Sequence, residues 1–421
     1  MEKLFKKSPY RMNALEGKKI PYGESFSACS IQDAAVVQPQ RRIPCLAETD
    51  VLVVGGGPAG TAAAIAAART GVRVVLAERY GYLGGLATGG LVLTILGHWT
   101  DDNVQVCQGV GEEMMQRLEK MPNGIIRRET GINPVVDGEI FKIILNRMLQ
   151  EAGVDLYLHS YALSAILEGE KVVGAVFQTK QGPRAIRAKQ VIDATGDGDI
   201  FASAGAAHEE RDYAVGLAYR FGGISELEKR HKLIGDPTPQ TGVHWTSSYA
   251  PPEGDGNGLD ATWLTHCELV HREIIWERLQ KVREIPGCEN ASLVEVAPQL
   301  GVRVSRVLDG TKTITFDGFM HRCHYDDCIG LGGADSADHH AWEIPLGALI
   351  PKRVDNLLTA GRSTSFDTKM TDLVRLIPNC WVTGQGAGVA AACAVQQNEL
   401  VRNVDFEHVR WVLLEQKACL G

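Results

Sequence analysis

The sequence predicts an α/β fold: a Rossmann-like dinucleotide domain on a mostly parallel sheet, interrupted by an inserted α+β substrate domain. Three observations carry this. A βαβ unit is written out between Asp50 and Arg79, a later apolar strand ends in the loop IDATGDGD at Ile192–Asp199, and the chain returns to strand and small-residue helix after a stretch of different composition.

In DVLVVGGGPAGTAAAIAAARTGVRVVLAER an apolar run leads to a glycine turn, a small-residue helix, a stop at Gly71 and a second apolar run ending in acid. Such a crossover is right-handed in a parallel sheet. EIFKIILNRMLQ, Glu139 to Gln150, has apolar residues at helical spacing, and Gly153 punctuates its end. Short strands and tight turns follow, and the last strand delivers IDATGDGD. From about Arg211 to Trp342 Trp, His, Pro and acidic residues dominate, with a helix expected around His266 to Lys281. The expected division is therefore 1–48, a surface arm; 49–210, the first part of the dinucleotide domain; 211–342, the substrate domain; 343–398, the return segment; and 399–421, a C-terminal segment.

The 421 residues suffice for a large core, with 44% hydrophobic and 22% charged residues. A formal net charge of -8 without a segregated basic patch argues against nucleic acid as a partner. No charge-free run reaches membrane-spanning length, and the N-terminus has no apolar run behind its basic residues, so neither a membrane nor a signal peptide is expected. Ten cysteines without a C-x-x-C pair fit a reducing cytoplasm.

Gly55, Gly57 and Gly60 form G-x-G-x-x-G between strand and helix. The first permits the turn, the second lets backbone approach a pyrophosphate, and the third lets helix pack on strand. The helix N-terminus favours the phosphate charge. Glu78, at the end of the second strand, is placed to accept hydrogen bonds from a ribose, and a carboxylate there disfavours the 2′-phosphate of NADP. These residues leave NAD and FAD both open.

IDATGDGD raises a metal question, because Asp193, Asp197 and Asp199 surround glycines. A calcium loop of EF-hand type fails, since its twelfth position is Ala204. In HRCHYDDC, His321, Cys323, His324 and Cys328 lack the second pair that a zinc site needs. No metal is expected.

Taken in order, GGGPAG, ERYGYLGGLATGG, VIDATGDGD, NLLTAGRS and RLIPNCWVTGQGAGVAAA resemble the FAD-dependent oxidoreductases of the glutathione-reductase superfamily, in particular the family sharing the IDATGDGD and NLLxAGR signatures. The resemblance spans about Asp50 to Gln397. It implies a glutathione-reductase-type FAD domain and FAD as cofactor, with Pro58, Ala59, Arg79, Ile377 and Asn379 among the cofactor residues. It also implies that Ala194, Thr195 and Gly196 lie beside the dinucleotide, that Gly84, Gly85 and Thr88 close over the pyrophosphate, that Ala162 meets the adenine, and that Gly361 and Arg362 contact the ribityl-phosphate part. Asp197 and Asp199 are then expected to cap the helix that follows. The helix begun by Pro378 resembles the family's flavin-ring helix, whose N-terminal dipole stabilises negative charge on the reduced ring.

Only one G-x-G-x-x-G opens a βαβ unit, and the second nucleotide domain of disulfide reductases and the C-x-x-x-x-C pair they carry near the first helix are missing. The substrate is therefore expected to meet the flavin directly, with reoxidation by oxygen or an external acceptor. Oxidation of an alcohol or amine needs a base, for which His339 and His340, in ADHHAWEIPLGALIP, are candidates. Arg303 and Arg306, in GVRVSR, are read as alternating on a strand and sharing a face, and Arg375 precedes the flavin-ring helix. Arginines on such a wall orient an anion. Trp245, Tyr249 and Trp342 are candidate pocket walls. The leading expectation is oxidation of a small polar or anionic metabolite by hydride transfer to flavin N5, in a chain that is free to form a homo-oligomer. A reductase of an activated double bond and a flavin monooxygenase stand as alternatives, ahead of a tRNA-acting or a non-catalytic flavoprotein.

Overall fold

The computed structural model describes residues 28–33, 35–100, 103–225, 232–249, 251, 253–334 and 340–421. In chain order its main elements begin with β1 (Cys45–Val54), α1 (Pro58–Arg69), β2 (Val74–Ala77), α2 (Gly138–Ala152), β3 (Asp155–Tyr157), β4 (Tyr161–Glu168), β5 (Lys171–Thr179) and β6 (Gly182–Asp193). Then come β7 (Val215–Gly222), β8 (Asp236–Pro237), β9 (His244–Ser248), α3 (Ala261–Arg283), β10 (Ser292–Val296) and β11 (Gly301–Val302). The chain closes the main sheet with β12 (Leu357–Thr359) and α4 (Ile377–Gln397).

The main sheet runs β3-β2-β1-β6-β5-β4, with β12 also paired to β6. Pairing is parallel from β3 through β6 and on to β12, and antiparallel across β6, β5 and β4. Val51 to Val54 in β1 are all buried, as expected of a central parallel strand covered on both faces. β1 starts at Cys45, ahead of the expected Asp50, and the expected arm contains an exposed hairpin, Ser30–Gln32 with Ala35–Val37. The remainder of the arm before residue 28 lies outside the described residues.

Small residues explain how α1 and α4 meet. A Cβ on Gly384 would lie 2.1 Å from the Ala59 carbonyl oxygen, and one on Gly388 would lie 2.3 Å from that of Ala63, so the backbones cross at a distance that excludes side chains. This packing fixes α4 against the helix that follows the glycine loop.

A second sheet, β8-β9-β7-β10 with β11 on β7, is antiparallel and backed by α3. α3 is longer than the expected helix at both ends, and Asp260 caps its start by accepting the Thr262 amide. α2 likewise starts where Asp137 accepts the Glu139 and Ile140 amides and ends at Gly153, whose φ of 78° suits a left-handed cap. One capping expectation fails. The helix Asp199–Ser203 has its Ile200 and Phe201 amides held at 2.9 Å by Asp193 Oδ2, seven and eight residues upstream, and not by Asp197 or Asp199. Tertiary folding turns the end of a β-strand into a helix cap, which local spacing does not show.

Candidate active site

Four parallel strands end at one level: Val54 pairs with Ala77, Asp193 with Val54, and Thr359 with Asp193. The loops leaving those ends converge outside the carboxyl edge of the sheet, where open α/β sheets bind ligands. They line a cavity of about 380 Å³.

Gly55, Gly57, Pro58 and Ala59 form one wall. Gly55 holds φ at +102°, open to glycine, and a Cβ on Gly57 would meet no atom within 4 Å, so that position faces open space. α1 has no side-chain cap, which leaves its first amides available to an anion. Gly60 is behind this wall, pressed against the Gly55 carbonyl. Glu78 and Arg79 form the next wall. Glu78 Oε2 accepts the Gly56 amide at 2.5 Å and Oε1 the Tyr80 amide at 2.8 Å. Burial pushes the Glu78 carboxyl upward against these amides.

Ala162 and Gly85 also line the cavity, whereas Gly84 and Thr88 stand behind it, Thr88 Oγ1 donating to the Leu83 carbonyl at 2.5 Å. Ala194, Thr195, Gly196, Gly361, Arg362 and Ile377 complete the cradle. Arg362 Nη2 donates to Asp197 Oδ1 at 2.6 Å, while its buried Nη1 has no partner. Burial pushes Asp197 up, but Arg362 and Arg79, with the Ser305 hydroxyl at 2.7 Å, outweigh it and hold the carboxyl below its ordinary value. Asn379 is outside the lining and braces the surrounding backbone: its side chain accepts the Gly333 amide and donates to the Gly333 and Leu373 carbonyls. The N-terminus of α4, also without a side-chain cap, opens on the cavity at Leu376 and Ile377.

The second sheet supplies the far wall. Gly216 and Ala218 alternate along β7 as a small-residue floor, flanked by Trp245, Ser247 and Tyr249. Sequence reasoning missed this floor, because alternation of Gly and Ala inside a strand carries no signal without the partner surface. Arg303 and Arg375 stand at the same end. Arg303 Nη1 donates to the Ala214 carbonyl at 2.7 Å and the Tyr249 carbonyl at 3.0 Å. Arg375 pairs through Nε and Nη2 with Asp372, whose other oxygen accepts the Tyr213 hydroxyl at 2.8 Å.

Three expected residues are elsewhere. Arg306 does not share a face with Arg303: a spacing of three would put the two on opposite faces of a continuous strand, and here the chain leaves β11 at Val302 and starts a new strand at Arg306, whose Nη1 donates to the Asp197 carbonyl at 3.0 Å and pairs with Asp199. His340 stacks on Phe319 and shares a 2.7 Å hydrogen bond with the Phe319 carbonyl, away from the cavity. His339 lies outside the described residues. Trp342 is buried with its Nε1 on the Gly333 carbonyl and lines no part of the cavity. No group of three or more His, Cys, Asp or Glu among the described residues is arranged to hold a metal ion. His321 turns to the Asp317 carbonyl and His324 to Glu343.

The model for the FAD dependent oxidoreductase family matches residues 50–218 and 213–413. The chain belongs to that family. It is an enzyme, and its cofactor is FAD. The residues present fit the group: an open cradle at Gly57, an unpartnered buried donor on Arg362 and two uncapped helix N-termini meet in one cavity. The oxidoreductase is 31% identical over 159 residues to a digeranylgeranylglycerophospholipid reductase of Picrophilus torridus, a stretch covering 35% of this chain and 39% of that protein. Among solved structures it is similar to a geranylgeranyl bacteriochlorophyll reductase-like protein of Thermoplasma acidophilum, with a TM-score of 0.50, 17% identity and coverage of 88% and 84% of the two chains. A p-nitrophenol 4-monooxygenase of Pseudomonas putida gives a TM-score of 0.52, 13% identity and coverage of 88% and 86%. At these identities the structural likenesses concern the fold. Among the described residues of the oxidoreductase, no helix is long and apolar enough to cross a membrane.

Proposed function

We propose that the chain is an FAD-dependent oxidoreductase that acts directly on a small polar or anionic metabolite, bound between the dinucleotide cradle and the second sheet. One observation carries the reading: a single cavity is continuous from Gly57 and Arg362 to Trp245, Tyr249, Arg303 and Arg375. FAD, when bound, supplies two-electron chemistry at its ring. The chain's own residues do the rest. The Gly57 loop, the first turn of α1 and Arg362 would hold the phosphate part of the FAD, and Glu78 and Ala162 its adenosine part. The uncapped start of α4 favours negative charge beside Ile377. The residues 211–342, expected as a substrate domain, supply the floor at Gly216 and Ala218, with Trp245 and Tyr249 flanking it. Arg303 and Arg375 orient the substrate through fixed donors.

Oxidation of the metabolite is the leading direction. Reduction of an activated double bond is the second, supported by the similarity to a digeranylgeranylglycerophospholipid reductase. Anaerobic mixing of the holoenzyme with 2-hydroxy acids and amino acids, and of the chemically reduced holoenzyme with enoates, tests both. Bleaching of the visible flavin band by the first group supports oxidation, and its recovery with the second supports reduction. No response to either group, in protein that retains FAD, would count against direct action on such a substrate.

A further inference from the structure

We infer that the substrate is a monoanion whose charged end is anchored by Arg303, with Asp372 as the positioning residue that fixes the site's charge at one positive unit. This rests on the functional reading above and deepens it. Arg375 is paired with Asp372, so those two charges cancel to first order. Arg303 has no such partner. Among the described residues no carboxylate lies within salt-bridge distance of it, and its hydrogen bonds to Ala214 and Tyr249 both use Nη1 and end on backbone carbonyls.

These bonds still orient the group. Fixing Nη1 between the Ala214 and Tyr249 carbonyls leaves the edge formed by Nε and Nη2 for another acceptor, and that edge is the geometry that takes a carboxylate through two parallel bonds. Its surroundings make room for the ligand. A Cβ on Gly216 would come within 3.2 Å of Arg303 Nη2, so the guanidinium rests over the bare backbone of the floor, beside the ring of Tyr249 at 5.5 Å. Burial, and then the like charge of Arg375, push the Arg303 pKa down, so its charge stands in a place that disfavours it when nothing is bound. Asp372 lies near enough to favour the Arg303 charge but is paired with Arg375, and a half-buried cation with no ion pair of its own on a cavity wall is neutralised by a ligand of charge minus one. Tyr213 adds no charge of its own here; its hydroxyl braces Asp372 from the other side.

The test uses the holoenzyme and three ring compounds of similar size: benzoate, neutral benzamide, and phenylphosphonate at a pH where it carries two charges. Dissociation constants are read from the shift of the bound flavin's visible spectrum and, separately, from quenching of tryptophan fluorescence, since Trp245 is in the wall. Wild type should bind benzoate about ten-fold tighter than benzamide or more. Arg303→Gln should bring the two within about three-fold, and Arg303→Lys, which keeps the charge and loses the fork, should fall between. Asp372→Asn raises the corner by one charge and should shift the ratio of benzoate to phenylphosphonate binding about five-fold toward the dianion at low salt. Tyr213→Phe changes no charge and should leave that ratio alone. Equal binding of benzoate and benzamide in wild type would overturn the inference without help from any variant. So would a ratio unmoved by Asp372→Asn in protein with full FAD content. If the anion preference fails while the flavin still responds to a substrate, only this inference falls; if benzoate is preferred but no metabolite changes the flavin, the functional reading falls instead.

Discussion

Glu78 Oε2 accepts the Gly56 amide at 2.5 Å, so the acid at the end of the second strand holds the middle glycine of the loop opposite it. Its other oxygen holds the Tyr80 amide. Glu78→Ala should therefore disturb the cradle before any ligand arrives. We expect a loss of about 1–3 kcal/mol in the stability of the apoprotein, for buried amides left without an acceptor, together with weaker FAD retention. Urea unfolding of the apoprotein checks this. Unchanged apoprotein stability with weaker FAD retention would place the whole effect on the ribose.

Gly57 and Gly60 should respond to substitution in opposite ways. Gly57→Val finds no protein atom within 4 Å of its Cβ, so the variant should fold normally and lose FAD, because the branched side chain occupies the phosphate's place. Gly60→Ala puts a Cβ 1.8 Å from the Gly55 carbonyl oxygen, and should cost more than about 2 kcal/mol of stability. Thermal unfolding and the flavin-to-protein ratio distinguish the two. Normal FAD content in Gly57→Val would remove the pyrophosphate from this loop.

Asp193 supplies a pH dependence. Burial raises its carboxyl from 3.8 to about 6, although Thr195, Ile200 and Phe201 all donate to it. The folded state thus holds a proton that the unfolded chain releases between these values. Stability from this group is fully present below the lower value and is lost as pH rises through the upper one, by about 3 kcal/mol. Asp193→Asn does not titrate, so its unfolding free energy should fall less than that of wild type between acid and neutral pH. Parallel pH profiles for the two proteins would show that the group is ionised throughout.

Arg306 and His340 should behave differently from Arg303. Arg306→Ala frees the Asp197 carbonyl and Asp199, so it should lower FAD retention and leave the KM of the retained holoenzyme within about two-fold. His340→Ala, remote from the cavity, should leave kcat/KM within about three-fold. A loss of kcat on the order of a hundred-fold in His340→Ala would return that histidine to the chemistry.

Much of the cradle was legible because its physics is local. Gly55, Gly57 and Gly60 must stand at fixed offsets between one strand and one helix. The ATG segment comes close to the Gly55 backbone at the Ala194 carbonyl, whereas Gly361 of the AGR segment faces the side chains of Ala59 and Cys380, and the places of both segments are legible through the family resemblance. The far wall was legible only in part. Trp245 and Tyr249 face the cavity as expected, but Trp342, of the same residue class, is consumed by strand packing. Arg303 and Arg306 are equivalent by type, but their odd spacing of three already opposes their faces, and the break between Val302 and Arg306 sends one to the cavity and the other to the Asp197 loop. Tyr213 and Asp372, far apart in sequence, meet only through the fold. Nothing in the local spacing of either residue announces that contact.

Ala218→Trp fills the floor of the substrate end while leaving every residue of the FAD cradle in place, and this makes it the most direct test of where the substrate sits. Anaerobic mixing with the donor or acceptor that changes the wild-type flavin spectrum should give no change in the variant, at equal FAD content and with chemical reduction by dithionite intact. If the variant's flavin exchanges electrons with that same compound at the wild-type rate, the substrate does not occupy the space between the cradle and the second sheet.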